Sequence, residues 1–260
     1  MDNVPPVRRP TRLLAVVSML GVVMAGCGGD NGSASPASEV TVFAAASLTA
    51  AFTDVGDAFM AANPGARVTF NFASSSDLAA QIAEGAPADV FASADLANLT
   101  KVVDAGATTA EAVIFATNLL EVIVGAGNPR GITEVADLAD PDLIVVTCAP
   151  EVPCGKYAAQ VFDNAGVAVT PKSLEENVKA VVSKVTLGEA DAGIVYATDV
   201  TAAGDQASGV EIPADINVLA EYPIVAMKNA ANAEGAQAFI DFVHSADGQA
   251  ILAGYGFGAP

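Results

Sequence analysis

Short, nearly continuous apolar runs alternate along this chain with segments whose apolar residues recur at helical spacing, and that alternation restricts the fold more than any other feature. Val40 to Ala46 is almost unbroken apolar sequence, the pattern of a strand buried on both faces. From Ser47 the period changes: Leu48, Ala51, Phe52, Val55 and Phe59 share one helical face, and Asn63-Pro64-Gly65 ends the segment. Arg67 to Phe72 then reads as a strand and Ser75 to Glu84 as a helix stopped by Gly85. Asp89 to Ala92 follows as a short strand, and Leu96 to Ala105 as a helix. Later, Leu119 to Val124, Leu143 to Thr147, Ala192 to Tyr196 and Tyr222 to Met227 read as strands. Gly155 to Ala165, the valines at 178, 181, 182 and 185, and Glu234 to Val243 read as helices. Such a succession predicts an α/β architecture with mostly parallel sheets. Two lobes are expected, with crossovers near Val113 to Ala116 and just after Tyr196. Lobe 1 then takes residues 40–117 and 197–260, and lobe 2 takes residues 118–196.

The first 26 residues read as an export signal and not as part of the fold. Arg8, Arg9 and Arg12 precede an apolar run, Leu13 to Met24, that is too short to span a bilayer comfortably. The run ends in Met24-Ala25-Gly26-Cys27, which resembles a lipoprotein signal, with Met24 departing from the usual aliphatic residue. Cys27 is then the lipidation site; an ordinary cleaved signal with an incidental cysteine is the alternative. Residues 27–39 read as a flexible tether, rich in Gly, Ser, Asn and Pro from Gly28 to Ser38. The expected location is extracytoplasmic, lipid-anchored to the cell membrane.

Formal charge is −19, and removal of a leader holding three arginines and one aspartate makes the chain more negative still. Such a surface repels nucleic acid. It also repels anions at long range, so an anion site here has to act through short-range hydrogen bonds. With Cys27 assigned to lipid, Cys148 and Cys154 remain. An even pair in an exported chain points to a disulfide, two buried free thiols being the other reading.

In open α/β sheets, ligands sit beyond the carboxyl ends of strands, where helices begin. Four junctions stand out: Ala44-Ala45-Ala46-Ser47-Leu48, Phe72-Ala73-Ser74-Ser75-Ser76, Val152-Pro153-Cys154-Gly155 and Glu176-Asn177-Val178. A helix start offers unpaired N–H groups and the positive end of a dipole, and serine adds a hydroxyl donor. Each junction taken alone is better explained by ordinary capping than by binding. None of the four strings holds Lys or Arg, so an anion bound there is held by neutral donors.

Several blocks in order along the chain resemble the molybdate-binding proteins of ABC transporters. They are VTVFAAASLTAAF from Val40, FASSSDL from Phe72, GAPADVFASAD from Gly85, PEVPCGKY from Pro150 and GIVYATD from Gly193, with the ending Tyr255-Gly256-Phe257. The resemblance implies a two-lobed periplasmic-binding-protein fold, type II-like, with the ligand cleft between lobes. It implies the oxyanion molybdate or tungstate as ligand, no cofactor, an ABC membrane permease as partner, and a monomer. Carried over position by position, Ser47 and Ser75 each supply a hydroxyl and an N–H. Cys154 and Val178 supply backbone N–H groups, and Tyr196 supplies its phenol. Cys154 departs from the small residue familiar there, which a backbone donor tolerates. Asp77 is expected to face solvent, because an inward carboxylate would oppose an anion.

Donors alone satisfy a fully ionised dianion, whereas hydrogen phosphate carries a proton that needs an acceptor. Sulfate is rejected only by size, so a receptor for sulfate or another small anion is the alternative within the binding class. A serine hydrolase would need His244, the single histidine, far from the junctions in sequence, and neither serine lies in G-x-S-x-G. The chain is therefore not expected to be an enzyme. One histidine and two paired cysteines also give no bare-metal cluster.

Overall fold

The computed structural model describes residues 39–108 and 110–260; the expected signal over 1–26, the tether through 38 and the lipidation site Cys27 lie outside the described residues. Glu39, assigned to the tether above, opens the first strand.

β1 (Glu39–Ala45) lies between β2 (Arg67–Ala73) and β3 (Val90–Ala92), parallel to both. β9 (Leu219–Ala226) runs antiparallel beside β3. β4 (Val113–Gly125) pairs with β9 through Leu119 and then, from Leu120 to Val124, with β7 (Ala192–Tyr196). Its far side, Glu121 to Gly125, pairs with β8 (Ala207–Glu211). β5 (Val145–Cys148) completes this half, parallel to β7 and to β6 (Ser173–Glu175). The strand order β2-β1-β3-β9-β4-β7-β5-β6 is thus one curled sheet in two halves, with β4 shared by both.

The α/β class is as expected, but the pairing is only half parallel. The strands that carry the chain between the halves, β4 and β9, pair antiparallel with each other and with their neighbours β3, β7 and β8. Parallel order persists where a helix returns the chain between strands. The segments read separately as Val113 to Ala116 and Leu119 to Val124 are one strand with an irregularity between Ile114 and Ala116. Residues directly after Tyr196 form a helix, α6 (Ala197–Ala203), and not a crossover strand. Asp199, in its first turn, accepts the Tyr196 N–H at 3.3 Å and fixes the turn.

Helices cover the faces as the periodicity requires. Leu48, Ala51, Phe52, Val55 and Phe59, along the short 3₁₀ turn Ala46–Leu48 and α1 (Thr49–Ala62), are all buried. Phe52 packs against Phe115 at 5.4 Å and Phe239 at 6.0 Å, tying α1 to β4 and to α7 (Ala233–His244). On the other face, Leu78 and Ile82 of α2 (Ser75–Ala83) join Leu99 and Val102 of α3 (Leu96–Asp104) over Phe43 and Phe91. In the second half, α4 (Pro153–Ala165) and α5 (Val178–Thr186) bury Val161, Val181 and Val185 against the sheet. α8 (Ala246–Gly254) ends the helical layer against α1 and α7.

Candidate functional site

The helix starts singled out in the sequence meet at one small cavity, about 200 Å³ counting its mouth, with Ser47, Ser75, Cys154, Val178 and Tyr196 all in its wall. Ser47 sits in the 3₁₀ turn between β1 and α1, and Ser75 is the first residue of α2. These two come from the first half of the sheet. Cys154 is the second residue of α4, Val178 the first of α5, and Tyr196 the last of β7, all from the second half. Small residues, Ala45, Ala46 and Ala94, fill the remaining wall beside the serines, so a ligand can approach the backbone.

Each helix start keeps amides for a ligand. Pro153 has no N–H, so the Cys154 amide is the first that α4 offers. At α5, the Asn177 side chain caps the Ala180 N–H at 3.1 Å and leaves the Val178 amide at the cavity. At α2, Ser74 takes the capping work: its Oγ accepts the Asp77 N–H at 3.1 Å and donates to the Asp77 carboxylate at 2.6 Å. Asp77 is exposed and turned away from the cavity wall, as an anion site requires. Ser75 is thereby free of capping, and its Oγ accepts the Ala94 N–H at 3.0 Å.

Tyr196 is 1% exposed, and its hydroxyl is the one buried side-chain polar atom among the described residues with no hydrogen-bond partner in the protein. Burial pushes its phenol far above the usual range, with the nearby Tyr222, Tyr157 and Asp199 adding to the effect, so it stays protonated and can donate. Leaving such a group unpaired costs about 1–3 kcal/mol, which a bound acceptor recovers.

No cationic side chain lines the cavity. Lys156, two residues after Cys154, pairs with Asp95 at 2.9 Å, and Lys179, next to Val178, pairs with the fully buried Asp199 at 2.8 Å. Burial raises the Asp199 carboxyl, and Lys179 works against that shift. Cys148 and Cys154 are joined in a disulfide with Cα atoms 5.7 Å apart, which pins the loop before α4 to the end of β5.

One residue was missed from sequence. Tyr222 of β9 is fully buried with its hydroxyl 3.0 Å from Ser47 Oγ. Its position within the apolar run from Tyr222 to Met227 reads as core, and its alignment with Ser47, 175 residues away, has no local signal. His244 is the exposed last residue of α7 and stands outside the cavity wall, so neither serine has an imidazole beside it. Among the described residues no group of three or more His, Cys, Asp and Glu is placed to hold a metal ion.

Comparison with known proteins agrees with this geometry. Residues 40–258 match the family described as bacterial extracellular solute-binding protein. The molybdate-binding protein ModA of Mycobacterium tuberculosis strain H37Rv is 41% identical over 251 residues, covering 94% of this chain and 96% of the relative. Among solved structures, the periplasmic molybdate-binding protein of Azotobacter vinelandii is similar with a TM-score of 0.76 at 23% identity, over 85% of this chain and 99% of that one. The sulfate-binding protein SubI of Mycobacterium tuberculosis H37Rv gives 0.74 at 22% identity, over 85% and 86%. Those two likenesses are of fold. With the family match running from β1 to the final residues, the chain belongs to the bacterial extracellular solute-binding proteins.

Proposed function

We propose that this protein is the extracytoplasmic binding component of an ABC importer and that it carries molybdate, or the near-isosteric tungstate, in the cavity between the two halves of the sheet. Solute-binding proteins of this family serve transport and not catalysis. The observation that carries the reading is the polarity of the cavity. Ser47, Ser75, the Tyr196 phenol and the first amides of α4 and α5 face one small volume that no cation and no carboxylate lines. A tetrahedral dianion presents only acceptors, and this wall offers it hydroxyl and amide donors, each charge-assisted bond contributing about 1.5–3 kcal/mol. The 41%-identical relative named for molybdate supports the same ligand.

The reading assigns Ser47, Ser75 and Tyr196 as side-chain donors and Cys154 and Val178 as backbone donors. It divides the chain into two lobes that close around the ion by a hinge motion. Residues 40–117 with the chain from β9 onward form lobe 1. The pairing of β8 with Glu121 to Gly125 supports grouping α6 and β8 with lobe 2 on this reading, where the sequence suggests lobe 1. The same reading has Cys27 lipidated, the protein monomeric, and the membrane permease as its partner. Among the described residues no helix is long and apolar enough to cross a membrane. Sulfate, a dianion of the same charge and shape with shorter bonds, is the second reading, favoured by the fold likeness to a sulfate-binding protein.

Titration calorimetry with molybdate, tungstate, sulfate and phosphate tests the assignment. One-to-one binding of molybdate and tungstate well ahead of sulfate and phosphate is expected. Equal affinity for sulfate would remove the molybdate reading. Tyr196→Phe should lower affinity without unfolding the protein, and unchanged affinity would reject its role as a donor. Retention of a Cys27→Ser variant on membranes would reject the lipid anchor.

A further inference from the structure

We infer that Tyr222 is a positioning residue for anion selectivity: its phenolic proton engages the Ser47 oxygen, so that Ser47 meets a bound ion as a donor. This rests on the anion site proposed above and adds a residue that does not touch the ion.

Ser47 Oγ and the Tyr222 hydroxyl are 3.0 Å apart, and distance alone leaves open which one donates. The surroundings decide it. Tyr222 is fully buried, so its proton needs an acceptor within the protein. Among the described residues Ser47 Oγ is the one hydrogen-bond partner of the phenol. The Asn118 side chain is engaged elsewhere: its carbonyl oxygen accepts the Leu119 N–H at 3.0 Å, and its amide nitrogen donates to Thr198 at 2.9 Å. Ser47 Oγ is therefore the acceptor left for the Tyr222 proton among the described residues. The reverse direction would strand a phenolic proton in a site closed to water.

With one lone pair of Ser47 held by Tyr222, the serine proton is directed into the cavity. Ser75 reaches the same polarity by another route, because its oxygen accepts the Ala94 N–H at 3.0 Å. Both serines thus have their oxygens engaged from behind and present protons in front. An anion that carries its own proton, such as monohydrogen arsenate, needs an acceptor in the wall. Tyr222 holds Ser47 away from that role.

Tyr222→Phe removes the hydroxyl and keeps the ring, which packs edge-on against Tyr196 at 5.8 Å and Phe257 at 5.5 Å. The experiment is calorimetry with molybdate and with monohydrogen arsenate at mildly alkaline pH, on wild type, Tyr222→Phe, Ser47→Ala and the double variant. In Tyr222→Phe, molybdate affinity falls about tenfold and the arsenate-to-molybdate affinity ratio rises by about the same factor, on the scale of one hydrogen bond. In the Ser47→Ala background the Tyr222 substitution changes neither quantity, as expected if it acts only through that serine. Tyr222→Met, which also removes the hydroxyl but refills the space with a flexible apolar side chain, moves the ratio in the same direction and stands in should Tyr222→Phe fold poorly. An unchanged ratio in both folded single variants overturns the inference, as does an equal Tyr222 effect with and without Ser47. Wild type that binds neither anion overturns the anion site itself, a result separate from either of these.

Discussion

Lys156 Nζ lies 2.9 Å from Asp95 Oδ2, and the pair joins the first turn of α4 in one half of the sheet to the N-cap of α3 in the other. Asp95 is almost wholly buried and also accepts the Asn98 amide at 2.9 Å, so its position is fixed before Lys156 reaches it. Beside it, the Tyr157 hydroxyl donates to Ala94 O at 3.4 Å, and the Ala94 N–H donates to Ser75. The corner at residues 94–95 is therefore touched by both halves and sits directly behind a proposed ligand.

Lys156→Met should consequently weaken anion binding through faster release. The ammonium is partly exposed, so solvent screening limits the pair to about 1 kcal/mol, or roughly fivefold in the dissociation rate. The effect should shrink at high salt. Stopped-flow release measured at two ionic strengths checks it; equal rates for wild type and variant would mean that the pair does not hold the halves together.

Ser75→Ala should show two separable losses. Without anion, the buried Ala94 N–H loses its acceptor, and stability should fall by about 1–2 kcal/mol. With anion, the missing hydroxyl should weaken binding by a further tenfold or more. Ser76→Ala, on the neighbouring half-buried position, should do neither. Denaturant melts with and without molybdate separate the two terms, and a Ser75→Ala protein as stable as wild type would contradict the first.

The degree to which these features were legible follows from their physics. The face formed by Leu48, Ala51, Phe52, Val55 and Phe59 was readable because burial imposes a period, and the strand from Val40 because burial on both faces imposes a run. Ser47, Ser75, Cys154, Val178 and Tyr196, which share one cavity wall, were singled out because helix starts are local and because the blocks around them resemble a family. Pairing direction is not local: nothing in Leu219 to Ala226 says that it runs against β3 and β4. α6 was missed because it spans seven residues, and α8 because Gly248 and Gly254 dilute its helical pattern. Tyr222 was missed because a buried tyrosine with a polar partner has the same sequence signature as one that only fills space.

Gly155→Ala should damage the site from behind. A Cβ at this position meets the carbonyl oxygens of Ala149 and Cys148, and backbone cannot rotate aside as a side chain can. The start of α4 must then shift, carrying the Cys154 amide with it. A loss of about 1–3 kcal/mol in stability is expected, with weakened anion binding. A Gly155→Ala variant with wild-type melting temperature and affinity would show that this loop tolerates displacement.

Loss of the disulfide should act on the same loop with a smaller structural disturbance. Cys148 and Cys154 close a short loop, six residues apart in sequence, and the chain-entropy model gives about 2 kcal/mol for a link of this length. Because Cys154 offers its backbone amide to the cavity, the double substitution Cys148→Ser with Cys154→Ser should retain binding at reduced affinity. Thermal melts in the presence of saturating molybdate should recover part of the lost stability by linkage. Complete loss of binding in a folded double variant would mean that the loop depends on the covalent link for its position.

Asp191 gives the protein an acid-sensitive contact far from the site. Its carboxylate accepts Arg130 Nε at 2.7 Å and Nη2 at 3.2 Å, and the Ile144 N–H at 2.8 Å. The Arg130 hydrogen bond, the largest influence, holds the carboxyl below its ordinary value of 3.8, with partial burial opposing it and the Ile144 bond assisting. A folded-state value below the unfolded one means that the unfolded chain binds the proton more readily. The contact's stabilisation is therefore fully present above the ordinary carboxylate range and is lost as pH falls through 3.8 and on toward the lower folded value. Asp191→Asn should melt below wild type near neutrality, and the gap should narrow as the solution is acidified through that range. Since Arg130 is half exposed, the gap near neutrality should also shrink with added salt. A gap that stayed constant from neutrality into strong acid would show that the carboxylate's charge contributes nothing, leaving only the hydrogen bond to Ile144 as its role.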